Sequence, residues 1–146
     1  MGIKKLNDNE KIDLVIFGKE RGIKVVSLGD NQFENGEYKE KGFALTKEEI
    51  SLLNWLLENV NLDDYKDKII CYINEIYSTW SDNEITVDDL ENEVKINKIV
   101  ISIVSRDVKY FPDISFVGKV NCDENGICIG FKNKEFLGIE SEDWVY

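Results

Sequence analysis

The stretch from Asn121 to Lys132 is where this chain comes nearest to a familiar ligand geometry. Asn121, Asp123, Asn125 and Gly126 match positions 1, 3, 5 and 6 of a calcium loop, whose oxygen ligands alternate along the chain and whose glycine makes the sharp turn. Such a loop closes with a bidentate Glu at position 12, and here that position is Lys132, a cation. Asn121 removes a further negative charge, and no metal is expected. The stretch reads instead as a hairpin, with strands Ile114–Cys122 and Ile127–Phe131 around the turn Asp123-Glu124-Asn125-Gly126. A type I turn followed by Gly126 in left-handed geometry would form a bulge. That register sets Asp123 opposite Ile127 and Cys122 opposite Cys128. The spacing is not Cys-x-x-Cys, and the three cysteines are expected as free thiols, with Cys71 a small buried or half-buried hydrophobe inside a helix.

The other chemistries narrow quickly. The chain has no histidine. This excludes Ser-His-Asp and Cys-His nucleophile systems, imidazole zinc sites and proton relays through His. Asp63-Asp64 and Asp88-Asp89 are explained as acidic residues at helix starts, and Glu140, Glu142 and Asp143 belong to an acidic tail. Gly18 and Gly22 flank Lys19-Glu20-Arg21 without phosphate-loop spacing. No cofactor is expected, and a non-enzyme is favoured.

Charge points elsewhere. The net charge is −11 over 146 residues, unevenly spread. Residues 1–45 carry eight basic and eight acidic side chains, residues 96–146 six and eight, and residues 46–95 four and thirteen. The middle third therefore holds most of the excess. Such a field repels nucleic acid and anionic lipid and attracts basic proteins. The side chains expected to contact a partner are Asp82, Glu84, Asp88, Asp89, Glu91 and Glu93, acting by steering and charge pairing. Acidity that only keeps an accessory domain soluble is the plain alternative. Converging acids in a pocket would instead mark a carboxylate-based enzyme or small-ligand binder.

These residues need elements to hold them. Ile12–Phe17 and Ile23–Leu28 read as strands joined by a turn at Gly18–Gly22. Residues 29–45 read as a loop with a short edge strand near Glu37–Lys39. Thr46 and Glu49 form a capping box for a helix whose apolar face is Ile50, Leu53, Leu57 and Val60, broadened by Leu52, Leu56 and Trp55. Asp63 or Asp64 is expected to cap a second helix that presents Ile69, Ile73, Ile76 and Trp80. Thr86-Val87-Asp88-Asp89 repeats the box and opens a short helix to about Val94. Strands follow at Ile96–Val104, in the hairpin, and at Glu135–Ile139 after the polar turn Lys132-Asn133-Lys134. Strands, then helices, then strands predict a single α+β domain over residues 1–146. Its sheet should be mainly antiparallel, of about five or six strands, an N-terminal hairpin plus a C-terminal meander, with two main helices on one face. No export signal or membrane span is expected, and the compartment consistent with unpaired thiols is the cytoplasm.

Asp113-Ile114-Ser115-Phe116-Val117-Gly118, followed by Cys122-Asp123-Glu124-Asn125-Gly126-Ile127-Cys128-Ile129-Gly130, resembles an uncharacterised family of short bacterial α+β domains. There a strand ends in an acidic turn of the type Trp-Asp-x-Glu-His-Gly and then returns. Tyr72-Ile73-Asn74-Glu75-Ile76-Tyr77 and the helix start at Thr46 are similar as well. This chain has Asn125 where the family often has His, and Cys122 where it has Trp. Some domains of this kind are associated with toxin–immunity loci. The resemblance implies an immunity-type role, and the acidic middle third supplies the expectation that the partner is basic.

Overall fold

The computed structural model describes residues 2–28, 33–34, 37–38, 43–80, 86–103, 110–121 and 123–145. Its main sheet has six strands: β1 (Lys11–Ile16), β2 (Lys19–Ser27), β5 (Val94–Ile101), β6 (Ile114–Val120), β7 (Asp123–Lys132) and β8 (Glu135–Glu140). They lie side by side in that sequence. Two short strands, β3 (Phe33–Glu34) and β4 (Glu37–Tyr38), pair separately. The helices are α1 (Lys47–Asn59), α2 (Lys66–Trp80) and α3 (Leu90–Glu93). The fold is α+β, as the segregation of strands and helices predicts. The sheet is mixed, because β2 and β5 run parallel while the other neighbouring pairs are antiparallel. Among the described residues, no helix is long and apolar enough to cross a membrane.

The N-terminal hairpin turns more tightly than its glycines suggest. Ile16 pairs with Lys19, so only Phe17 and Gly18 form the turn, and Gly22 lies within β2 opposite Asp13. Both turn residues have positive φ, 52° and 80°, as a type I′ turn requires. Phenylalanine is a poor choice for that backbone. It is held there because its ring is buried, with the Lys66 ammonium 6.0 Å from the ring centroid.

The helices start where local chemistry directs. The capping box at Thr46 is complete: Glu49 N donates to Thr46 Oγ1 at 3.2 Å, and Thr46 N donates to Glu49 Oε1 at 2.9 Å. Ile50, Leu53 and Leu56 face the sheet, while Leu57 and Val60 are half-buried. The second helical segment begins earlier than expected, with a 3₁₀ turn at Leu62–Tyr65 whose cap is Asn61, accepting from Asp63 N at 3.0 Å. Asp63 and Asp64 fill the first turn, where their charge meets the helix dipole. The box at Thr86 is half-formed. The Asp89 carboxylate accepts from the Thr86 amide at 2.9 Å, but the Asp89 amide donates to the Thr86 carbonyl at 3.0 Å.

The core lies between the sheet and helices α1 and α2. Ile23 and Val25, Ile99 and Ile101, Ile114 and Phe116, and Ile127, Ile129 and Phe131 meet Leu53, Leu56, Ile69 and Ile73. Phe131 is the aromatic hub, with Trp55, Tyr65 and Phe136 rings edge-on at 5.7 to 6.0 Å. Ile99, Val100 and Ile101 are all buried, so β5 is covered on both faces.

The C-terminal hairpin departs from the expected register. The link between β6 and β7 lies at residues 121 and 122, and Asp123 already pairs with Val120. Gly126 has the expected left-handed φ, +67°, and marks the irregularity between Gly118 and Val120. A Cβ there would lie 2.6 Å from the Gly118 carbonyl oxygen, so glycine is required twice over. Because the turn comes earlier, Cys128 lies opposite Val117 rather than Cys122. Cys71 and Cys128 are free, but Cys71 is exposed on α2 rather than buried or half-buried as expected, and Cys122 lies outside the described residues.

The acidic tail proves to be part of the fold. A 3₁₀ turn at Glu142–Val145 folds back on β7 and covers the sheet face away from the helices. Val145 and Trp144 close a small cluster with Val100, Val117 and Cys128. The Trp144 ring and Pro112 pack against Gly130, where a Cβ would come within 2.8 Å of Trp144 and 2.9 Å of Pro112. Trp144 Nε1 donates to the Tyr110 carbonyl at 3.0 Å.

Candidate functional site

Of the six acids expected to contact a partner, Asp82 and Glu84 lie outside the described residues. Asp88 and Asp89 are exposed at the start of the short helical segment, but the Asp89 carboxylate is engaged with Thr86, also taking the hydroxyl at 3.1 Å. Glu91 is half-buried and pairs with Lys19 of β2 at 3.2 Å. Glu93 is half-buried too, and its carbonyl accepts from Asn121 N at 3.0 Å. The helical turn that holds the four described acids is thus tied to the sheet, and of these four only Asp88 is exposed without a side-chain bond to another described residue.

The acidity of the neighbouring helices is more open. Glu58 at the end of α1, Asp63 and Asp64 in the 3₁₀ turn, and Asp67 and Glu75 on α2 are all exposed. The nearby cations offset them in part: Lys66 is 3.4 Å from Asp63, and Lys68 lies 5.6 Å from the centre of the Phe136 ring. Exposed pairs of this kind contribute little stability and exchange easily for another partner. In the sequence Asp63-Asp64 reads as a helix start, and a first-turn acid points outward as readily as it serves the dipole.

Two buried polar clusters lie elsewhere. At the end of β2, Ser27 joins acids from two other elements. Its amide donates to Asp8 Oδ1 at 2.8 Å and its hydroxyl donates to Glu49 Oε2. The second oxygen of Asp8 accepts from Asn9 at 2.8 Å, and that of Glu49 caps Thr46. Burial pushes the Asp8 carboxyl above its usual range, against the bonds from Ser27 and Asn9 and with a further push from Glu49. Every oxygen of this converging pair already accepts a bond, so the arrangement holds the segment before β1, β2 and α1 together.

The second cluster sits along the same end of the sheet, where β5, β6 and β7 align. Ser102 N donates to the Asp113 carbonyl and Asp113 N to the Phe131 carbonyl. Lys132 is buried, with Nζ donating to the Phe111 carbonyl at 3.0 Å and 3.5 Å from Asp113 Oδ1. Asp113 Oδ2 accepts from Asn133 N at 3.0 Å. The residue that spoils a calcium loop is therefore half of a buried ion pair. Beside it opens a cleft of about 320 Å³, lined by Glu48, Ser51, Leu52, Ile103, Asp113, Asn133 and Lys134. Asp8 and Glu49 do not line it. Among the described residues, no group of three Cys, Asp or Glu side chains is placed to hold a metal ion.

Compared with protein-family models, curated proteins and solved structures, the chain has no significant match.

Proposed function

We propose that this protein is a non-enzymatic, cytoplasmic binding domain that captures a basic protein on the acidic solvent side of its helices. The observation that carries the reading is the exposure of Glu58, Asp63, Asp64, Asp67 and Glu75 together, in the third of the chain that holds most of the net charge. Asp88 extends that surface beyond α2. The contrast with Asp8 and Glu49 supports it, because the acids that converge are consumed by the fold. Association would be fast and sensitive to salt. An immunity-type role, in which the basic partner is a toxin, is the form implied by the family resemblance. Affinity capture on the immobilised chain tests the reading. A basic protein retained at low salt and released at high salt is expected, and retention of no basic protein at low salt would contradict it.

A small-ligand binder is the second reading, drawn from the cleft beside Asp113. A screen of small charged molecules by melting temperature separates the two, since only a cleft ligand would stabilise the isolated chain.

A further inference from the structure

The two edges of the sheet are guarded differently. β8 has β7 as its neighbour, and its ladder is broken by a bulge at Leu137, where Gly130 pairs with Gly138 but Phe131 pairs with Phe136. Bulges, prolines and inward-pointing charges are the usual protections against edge-to-edge pairing. β1, at the other edge, bears Lys11 and Asp13 on its outer face but has no bulge, proline or inward-pointing charge. Its register with β2 runs unbroken from Lys11↔Lys24 to Ile16↔Lys19. It contains no proline, and its inward residues are Ile12, Leu14 and Ile16.

The direction of its free hydrogen-bonding groups follows from one bond. Val25 N donates to the Glu10 carbonyl at 3.0 Å, so the even-numbered residues of β1 bond across to odd-numbered residues of β2. Lys11, Asp13 and Val15 therefore turn their amides and carbonyls to the open edge. Both sides of that edge are shaped for side chains. Toward the helices lies a groove of about 410 Å³ whose walls include Leu14, Leu57, Val60 and Leu62 together with Glu58 and Asp63. On the outer side Val15 is 72% exposed, the most exposed large hydrophobic residue among those described. Alternating apolar and basic residues on an added strand would match this surface, since strand residues point alternately to the two faces.

We infer that β1 receives an extended segment of the basic partner as a seventh strand, with basic side chains entering the groove toward Glu58 and Asp63 and apolar ones covering Val15 on the outer face. The inference rests on the basic-partner reading above and adds where and in what conformation the partner binds. Strand addition uses main-chain bonds for affinity and alternate side-chain contacts for specificity. Charge decides against a second copy of this chain as occupant, because the two molecules brought together would each carry a net charge of −11.

The test uses the full chain, a synthetic peptide of alternating valine and lysine, and its counterpart with glutamate for lysine. The lysine peptide is expected to slow amide hydrogen exchange at Asp13 and Val15. It is also expected to bind Val15→Pro roughly tenfold more weakly. Proline removes the open-edge amide at a position where an edge strand tolerates it. The glutamate peptide is expected not to bind. Equal, salt-sensitive binding of the lysine peptide to both chains, without protection at Asp13 and Val15, would overturn strand addition and leave the basic-partner reading standing. Absence of binding would likewise overturn strand addition by a basic segment, while the capture experiment alone decides the parent reading. Dimerisation of the wild-type chain that Val15→Pro abolishes would give the edge to a second copy and overturn the inference. If Val15→Pro failed to fold, the exchange measurement on the wild-type chain would still decide.

Discussion

Asp8 and Glu49 are 9% and 0% exposed, and all four of their carboxylate oxygens accept hydrogen bonds from the segments they join. Asp63, Asp64 and Asp67 stand in solvent at the start of α2, with Lys66 3.4 Å from Asp63. The same chemical group thus has two uses in one small domain. Where backbone amides and hydroxyls of other segments converge on it, a carboxylate is a structural joint. Where they do not, it contributes to a field that reaches beyond the molecule. The difference cannot be seen in residue type, and it decides which acids are available to a partner.

The sharpest way to break this contrast is to unbalance a buried charge. Lys132→Met leaves the Asp113 carboxylate, only 13% exposed, without its cation. A loss of about 3 kcal/mol in denaturant unfolding is expected. Adding Asp113→Asn to that variant should recover part of it, since the uncompensated charge then disappears. Glu49→Ala removes the acceptor of the Ser27 hydroxyl and of the Thr46 amide together. It should cost about 2 kcal/mol in the same assay.

A smaller effect sharpens the comparison through pH. The folded-state pKa of Asp8 is raised, so between its ordinary value and the raised one the native chain holds a proton that the unfolded chain has released. Its contribution to stability therefore grows as pH falls through that window and is lost as pH rises. The stability difference between wild type and Asp8→Asn, followed from neutral pH downward, should widen in favour of wild type. The thiols extend the same contrast. Burial pushes Cys128 up to about 12, while Cys71 is exposed. Mass mapping after alkylation near neutral pH should find Cys71 modified at once and Cys128 only on unfolding. Smallest of all, Asp63→Asn, Asp64→Asn and Asp67→Asn should each change stability by no more than about 0.5 kcal/mol.

What was readable in the sequence is what acts over a few residues. The Thr46–Glu49 box spans one helical turn, and the left-handed Gly126 answers to its own backbone. Alternation in β1 and the apolar spacing of α1 are similarly local. What escaped depends on partners distant in the chain. Ser27 meets Glu49 across 22 positions and Asp8 across 19, and no local pattern announces either bond. The parallel pairing of β2 with β5, Lys24 beside Lys98, is equally remote in sequence. Phe17 shows a core requirement overriding turn preference, and the early turn at Asn121 displaced Cys128 from Cys122 because one irregularity shifts every later pairing. Glu142 and Asp143 read as a tail in the sequence because the seat of the adjacent Trp144 on Gly130 belongs to another strand. Among the acids, the charge count led to the segment around α3, whereas Asp89 and Glu91 there are bonded and Glu58, Asp64 and Asp67 of the helical layer are exposed.

The central claim is that the exposed acids of the helical layer steer a basic partner. It is tested most directly by the association rate of that partner, once captured, with wild type and with the triple variant Asp63→Asn, Asp64→Asn and Asp67→Asn. A roughly tenfold slower association at low salt, a difference that vanishes at high salt, and an unchanged melting temperature are predicted. An association rate that is the same for both chains at low salt would contradict the account.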